Sequence, residues 1–267
     1  RVCKRCQNVG IGLNAMYSTT TGYTNVGIGP NVLYSNTTGY ENVAIGQCAM
    51  YANTTGVENT AIGCGALRSS QTANANTAVG RSALGANTSG TKNAAVGRNA
   101  MCANTTGNCN TAIGFQAMCT NTTGVNNTAL GTNALLANTG DDNVAVGLSA
   151  LETNTSASIN VAVGNNALKD TTTGQQNVAF GTSASESNTT GCRNVSIGYR
   201  AGYTATTPEG NTFVGYSAGC NAATGNSNTA IGISSGIDAV KNITGTDTHQ
   251  LVLGNNGTTN AYIKVSL

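Results

Sequence analysis

The sequence predicts an all-β fold, a parallel β-solenoid (a β-roll or β-helix) of about fourteen 17-residue coils with a C-terminal β cap. Three observations predict it. A five-residue unit of Asn, then mostly Val or Thr, a small residue, an aliphatic residue and Gly ends at Gly12, Gly29, Gly46, Gly63, Gly80, Gly97, Gly114 and Gly131, always 17 residues apart. After one 16-residue step to Gly147 it returns to 17 through Gly164, Gly181, Gly198, Gly215 and Gly232. Every one of these fourteen glycines has Asn four places earlier, from Asn8 to Asn228. The period is too short for a helix pair and suits one strand-and-turn coil per repeat.

Within a period, "NTAIG" reads as a short strand whose Thr or Val and Ile or Val point one way, while Asn, Ala and Gly point the other. A second short segment follows, as in Ala66-Leu67, Ala83-Leu84 and Ala100-Met101. The "NTTG" between them is a turn: Asn and Thr bond to nearby backbone, and Gly accepts unusual dihedrals. The single deletion falls there, where "NTTG" shortens to "NTG" at residues 138–140. Turns tolerate deletions better than strands.

Stacking at about 4.8 Å would make fourteen such coils a rod of roughly 65 Å. Equivalent residues then form columns. The column Asn42, Asn59, Asn76, Asn93, Asn110 and Asn127 is expected to chain its amides from coil to coil, a structural role. Each coil has only a Val or Thr, an Ile or Val, and a Leu or Met for its core, which is thin. Shared burial in an oligomer would repair that, and Ala61, Ala78, Ala95, Ala112 and Ala129 either allow close approach of chains, most simply a trimer, or line a narrow interior.

Composition excludes several function classes. Of 267 residues only 8% are charged and 4% aromatic, with 35 Gly and a net charge of +2. Disorder needs high charge with low hydrophobicity, and nucleic-acid binding needs a basic patch; neither is present. No apolar run approaches the roughly 20 residues of a membrane helix, so no membrane insertion is expected. The chain opens at Arg1 without a signal-type apolar region, which suggests a mature or trimmed chain.

The chemistry-bearing residues are few. His249 is the only histidine, in the presumed cap. Asp141 and Asp142 are the one adjacent carboxylate pair and sit in the shortened turn, without the facing carboxylates of a glycosidase or the recurring acids of a calcium solenoid. No enzyme, cofactor or metal site is expected. Cys102 and Cys119 share a phase one coil apart, within disulfide range, while Cys3 and Cys6 lie outside the coils as candidates for linking subunits. Nine cysteines leave at least one thiol free or bonded to another chain. "NTT", "NTS" and related triplets place Asn36, Asn53, Asn87, Asn104, Asn121, Asn154 and Asn188 at one turn position; they are either N-glycosylation acceptors or there for the turn.

The "NVAIG" and "NTAIG" segments resemble the head repeats of trimeric autotransporter adhesins, which form left-handed parallel β-rolls in trimers and bind host or matrix surfaces. The longer unit "NTTGxxNTAIGxxAL" resembles more closely the repeats of phage and viral tail-fibre-like proteins. The resemblance covers about residues 8–236. It departs from the adhesin pattern in its 17-residue period and in lacking a recognisable membrane anchor or stalk heptads. It implies a left-handed coil, a homotrimer, and a location that is extracellular, at a cell surface or a virion surface.

Late in the repeat Leu or Met gives way to Ser185, Gly202, Gly219 and Gly236, while Phe180, Tyr199, Tyr203, Phe213 and Tyr216 appear nearby; a large side chain from another column is expected to fill the space. After Gly236 the period breaks, and "HQLVLGNNGTTNAYIKVSL" reads as two strands around an "NNG" turn. It is similar to the segment that precedes the self-cleaving chaperone domain of some fibre proteins, which implies a downstream domain removed on maturation. The organisation expected is residues 1–7 as a Cys-containing extension, 8–236 as the solenoid and 237–267 as the cap.

The expected function is a structural extracellular fibre or adhesin-like segment, a rigid rod for surface attachment with a cell-surface or glycan ligand at its turns or cap. Two alternatives remain at this point: a self-assembling extracellular filament, glycosylated if the sequons are used, and an ice-binding solenoid with the regular Thr pairs as its array.

Overall fold

The computed structural model describes residues 7–237, 243, 246–255 and 257–258. Two compact units divide at residue 143. The first holds β1 (Val9–Ile11), β2 (Val26–Ile28), β3 (Val43–Ile45), β4 (Thr60–Ile62), β5 (Thr77–Val79), β6 (Ala94–Val96), β7 (Thr111–Ile113) and β8 (Thr128–Leu130). The second holds β9 (Val144–Val146), β10 (Val161–Val163), β11 (Val178–Phe180), β12 (Val195–Ile197), β13 (Thr212–Val214), β14 (Thr229–Ile231) and β15 (Leu251–Leu253). Within each unit every strand pairs in parallel with the next, and the register follows the repeat, as in Thr60↔Thr77, Ala61↔Ala78 and Ile62↔Val79. This is a β-solenoid, all-β, with no helix among the described residues.

Each coil has one three-residue strand; the remainder is turn. The reason is backbone handedness. Three non-glycine positions per coil take left-handed dihedrals, as at Glu58, Cys48 and Leu67 (φ 58°, 55° and 48°). Such residues interrupt a strand, yet the turns still bond to the next coil: the amides of Met50, Ala52 and Thr54 donate to the carbonyls of Ala66, Arg68 and Gln71 at 2.9, 3.0 and 3.0 Å. The Leu67 column contains Leu, Met, Ser or Gly and no β-branched residue, whereas the left-handed column of Glu58 also admits Thr24 and Ile159. At the strand end, Gly63 has φ 134°, and a Cβ there would lie 2.7 Å from the carbonyl carbon of Gly80 in the next coil. Only glycine allows the coils to stack at that corner.

The faces are the reverse of the sequence expectation. Ala44, Ala61, Ala78, Ala95, Ala112 and Ala129, at strand centres, are fully buried together with Leu67, Leu84, Met101 and Met118. The flanking Thr or Val and Ile or Val point outward: Ile62, Val96, Ile113 and Leu130 are exposed. The alanines therefore line the interior and do not provide an approach surface for another chain. Physically, the Leu or Met of the turn and the Asn at the strand entry already occupy a narrow interior, leaving room for one methyl. The branched residues go outside, where a pleated surface suits them.

In the second unit the core is repacked. Phe213 takes the strand-centre position of alanine and reaches the space left by Gly202, where an added Cβ would meet its ring at 2.9 Å. It packs with Ala201, Ala218, Ala222, Ala230 and Ile243, and Ile243 likewise fills in over Gly236. Of the aromatic residues expected to compensate, Phe213 is the one that does; Phe180, Tyr199 and Tyr216 are exposed. Where Leu becomes Ser185, the strand-centre alanine also becomes Ser196, and the two hydroxyls bond at 2.7 Å.

At the C-terminal end, one of the two strands expected around "NNG" is β15, and it continues the parallel ladder on β14. Gln250 stands where every earlier coil has Asn: its amide donates to Asn228 Oδ1 at 3.0 Å, and its carbonyl accepts from Thr229. The "QLVLG" of residues 250–254 is thus a further copy of the unit after a longer step, missed in the sequence because Gln replaces Asn. The second expected strand lies outside the described residues, as do Cys3 and Cys6.

Candidate functional site

The strand-entry asparagines form a buried ladder. The Oδ1 of Asn25 accepts from both the backbone amide and Nδ2 of Asn42, each at 3.0 Å, and the other Nδ2 hydrogen of Asn42 goes to the Gly56 carbonyl at 2.8 Å. Asn59, Asn76 and Asn127 repeat the whole pattern, while Asn93 and Asn110 bond to the preceding Oδ1 through their backbone amides and to Gly107 and Gly124 through Nδ2. In Asn42, Asn59, Asn76 and Asn127 both amide hydrogens and the oxygen have partners, as buried polar groups require. Asparagine has the donor and acceptor set for this: Asp lacks the donors and Leu lacks both.

The turn asparagines form a second ladder. Asn36, Asn53, Asn87, Asn104, Asn121, Asn154 and Asn188 are all buried. Nδ2 of Asn104 donates to Asn87 Oδ1 at 2.8 Å and to the Gly107 carbonyl at 3.1 Å. The nitrogen that a glycan would occupy is therefore enclosed and engaged in the folded coil, the placement that the turn reading of these residues requires. The shortened turn keeps the pattern, with Asn138 and Asn127 both donating to the Gly140 carbonyl at 2.9 and 2.8 Å.

This second ladder breaks at Ser70, too short to span the gap, and both Ser70 Oγ and Asn53 Oδ1 are buried without a hydrogen bond. Ser70→Asn is expected to close the ladder and stabilise the protein by about 1–2 kcal/mol, read as a higher urea midpoint at unchanged slope.

Two further columns have local structural roles. The first Thr of the turn pair donates its hydroxyl to a carbonyl one coil on, Thr37 to Thr54 at 3.0 Å and Thr88 to Thr105 at 3.1 Å, whereas the second, as at Thr38, Thr55 and Thr106, is exposed. Asp141 accepts from the amide of Val125 at 2.8 Å, as Asn74 accepts from Val57 and Asn108 from Thr91 in earlier coils. Asp142 accepts from Asn126 Nδ2 at 3.0 Å. His249 takes the left-handed position before Gln250, and its backbone amide donates to the Asn226 carbonyl. Among the described residues no three His, Cys, Asp or Glu gather as metal ligands.

The two cysteines expected to lie within disulfide range are brought side by side. Cys102 and Cys119 are free thiols with sulfurs 2.7 Å apart, one coil from each other. The hydrogen bond from Cys119 brings the Cys102 thiol down to about 7, against burial, which opposes it. The same bond, then burial, pushes Cys119 upward. The pair thus holds one proton tightly while Cys102 carries the thiolate, the nucleophilic form. Alkylation of Cys102 is expected to accelerate as pH rises through about 7 and to level off above it, whereas Cys119 stays slow; peptide mapping after timed iodoacetamide treatment reads both rates. A rate at Cys102 that begins to rise only near pH 9 would contradict the shared proton.

Outside the coils' interiors, the most regular surface is the outward strand face. All fifteen strands lack Asp, Glu, Lys and Arg. In the first unit Ile28, Ile62, Val96, Ile113 and Leu130 of this column have 37–45% of their surface exposed, with Ile45 and Val79 between them half-buried, and in the second unit Phe180, Ile197 and Ile231 have 40–57%. No protein-family model and no curated protein compared with this chain matches it.

Proposed function

We propose that the chain is a structural fibre or adhesin-like segment, a non-enzymatic, extracellular solenoid that assembles with copies of itself, as a homotrimer, and holds a surface-attachment function. The outward face of uncharged, exposed Ile, Val and Leu carries this reading. Exposed apolar patches of this extent mark interaction surfaces. The face repeats at the spacing of the strands, and a second copy of the same solenoid offers that spacing in return, so rung can pack against rung along the whole contact. A closed ring of three copies would bury one such face per chain and leave the polar turns outside for contact with a cell surface.

The resemblance of "NTTGxxNTAIGxxAL" to fibre repeats and of "NTAIG" to adhesin heads supports the same reading. Because the first Thr hydroxyl of the pair is bonded internally, as at Thr37 and Thr88, only the second faces water, which weighs against the paired array of an ice-binding face. Electron microscopy of the purified chain tests the proposal. Discrete particles with three-fold averages are expected; long polymers would make the chain a filament subunit instead, and single unassociated coils would remove the assembly reading.

A further inference from the structure

We infer that the first unit carries a binding notch for an acidic saccharide, centred on Arg68 and Arg81. The notch, of about 590 Å³, is lined by Gln47, Ser69 and Ser82 besides the two arginines, with Cys48, Cys64 and Cys102 at its margins. That size falls within the range of small-molecule sites. It exists because two columns skip a side chain. Gly85 stands where neighbouring coils carry Arg68 and Cys102, and Gly65 stands between Cys48 and Ser82 in its own column. A gap two columns wide is thereby cut into an otherwise filled surface.

The electrostatics of the notch are unbalanced. Arg81 and Arg98 occupy equivalent positions of consecutive coils, since the strand-end glycines before them, Gly80 and Gly97, are neighbours and Asn99 donates to the Arg81 carbonyl at 3.0 Å. Like charges on adjacent rungs repel. In the second unit two charge pairs join consecutive coils, Lys169 with Glu152 at 4.0 Å and Arg193 with Glu209 at 2.9 Å, while Arg200 lies over the Tyr203 ring. Arg68, Arg81 and Arg98 have no such carboxylate among the described residues. The acids described in the first unit, Glu41, Glu58, Asp141 and Asp142, belong to the columns just before the strand-entry Asn, away from the notch lining.

The lining chemistry selects the ligand class. Two guanidiniums match a carboxylate or sulfate, with planar, paired donors. The Ser69 and Ser82 hydroxyls and the Gln47 amide both donate and accept, as sugar hydroxyls do. No carboxylate lies in the lining, where Cys102 adds a negative charge only as its thiol ionises above about pH 7, and no large apolar wall is present to take a peptide side chain. The inference deepens the surface-attachment reading by naming its ligand, and rests on that reading for its biological sense. The notch is built from one chain, so a measured mass can contradict the assembly while the notch still binds, and the reverse.

The test is titration of the full chain, under reducing conditions, with a sulfated uronic-acid disaccharide followed by calorimetry. Saturable one-to-one binding per chain that weakens as salt rises is expected. Arg68→Gln and Arg81→Gln should each weaken it about tenfold, the loss expected for one charge-assisted contact. Gly85→Leu should abolish it by filling the notch; Gly85 has no left-handed dihedral, and Leu136 occupies the same column, so the coil should accept it. Lys92→Gln, a cation on another column, should change affinity less than twofold. Circular dichroism verifies that each variant is folded. Absence of binding by the folded wild-type chain overturns the inference. So does equal affinity for inorganic sulfate, for the neutral disaccharide or for an oligoglutamate peptide, or a loss with Lys92→Gln as large as with Arg81→Gln.

Discussion

Asn76→Asp is expected to destabilise the protein by about 3–5 kcal/mol at neutral pH, a large part of the stability of an ordinary domain. The substitution changes almost no volume. It puts an oxygen where Nδ2 donates to Asn59 Oδ1 at 3.1 Å and to the Gly90 carbonyl at 2.9 Å, so two attractions become repulsions in a fully enclosed place. The sign with pH follows. Burial against two acceptors raises the variant carboxyl in the folded state above its unfolded value, so the folded state binds the proton more tightly. The penalty is then smallest below the unfolded carboxylate value of about 4 and grows as pH rises through the folded value. Urea midpoints at pH 4.5 and pH 7.5 measure it. Asn74→Asp provides the contrast: Asn74 is exposed and uses only its oxygen, which Asp141 replaces naturally in a later coil, so that change should stay within about 0.5 kcal/mol. Equal effects at both sites would contradict the ladder.

Phe213→Ala is expected to cost about 3–5 kcal/mol by opening a cavity over Gly202 and Gly219. In this case the lost volume can be restored from the other column. Gly219 has φ 58°, close to the φ 48° of Leu67 at the equivalent place, so a Leu side chain there takes on the same left-handed strain that the coil already tolerates at Leu67. Gly219→Leu alone should destabilise by collision with the Phe213 ring, since an added Cβ already falls inside its van der Waals surface. The double variant recreates the Ala-and-Leu packing of the first unit and should recover most of the loss. Thermal melts of the two single variants and the double form a cycle in which strong positive coupling is expected. Additive losses would mean that Phe213 and Gly219 do not share one space.

Much of this was legible in the sequence, because a repeat announces its own register. The Asn four places before each Gly located every strand of the regular coils, and the "NTG" deletion located the turn. Other features were not legible for physical reasons. Alternation in "NTAIG" marks two faces but does not say which is inside, since Val and Ile are the more apolar and Ala the better fit to a narrow interior; size decided against hydrophobicity. The left-handed positions carry Glu, Cys, Leu, Ser and even Ile159 alike, so residue type did not mark them. Gln250 conceals the last copy because it replaces the Asn that marks the others. The notch is a property of absent side chains, Gly65 and Gly85, and becomes visible only when columns from several coils are set side by side.

The outward face of the strands supports the central claim, that the chain works as an assembled structural element. Its most direct test is the mass in solution by light scattering, across a wide concentration range, for the wild-type chain and for Ile62→Lys/Ile113→Lys. Both residues are exposed on the outward face, so the folded coil should accept lysine there. Three times the 26.7 kDa of the chain is expected for the wild type, and 26.7 kDa for the folded double variant. A wild-type mass of 26.7 kDa at every concentration, or a variant that assembles as the wild type does, would contradict it.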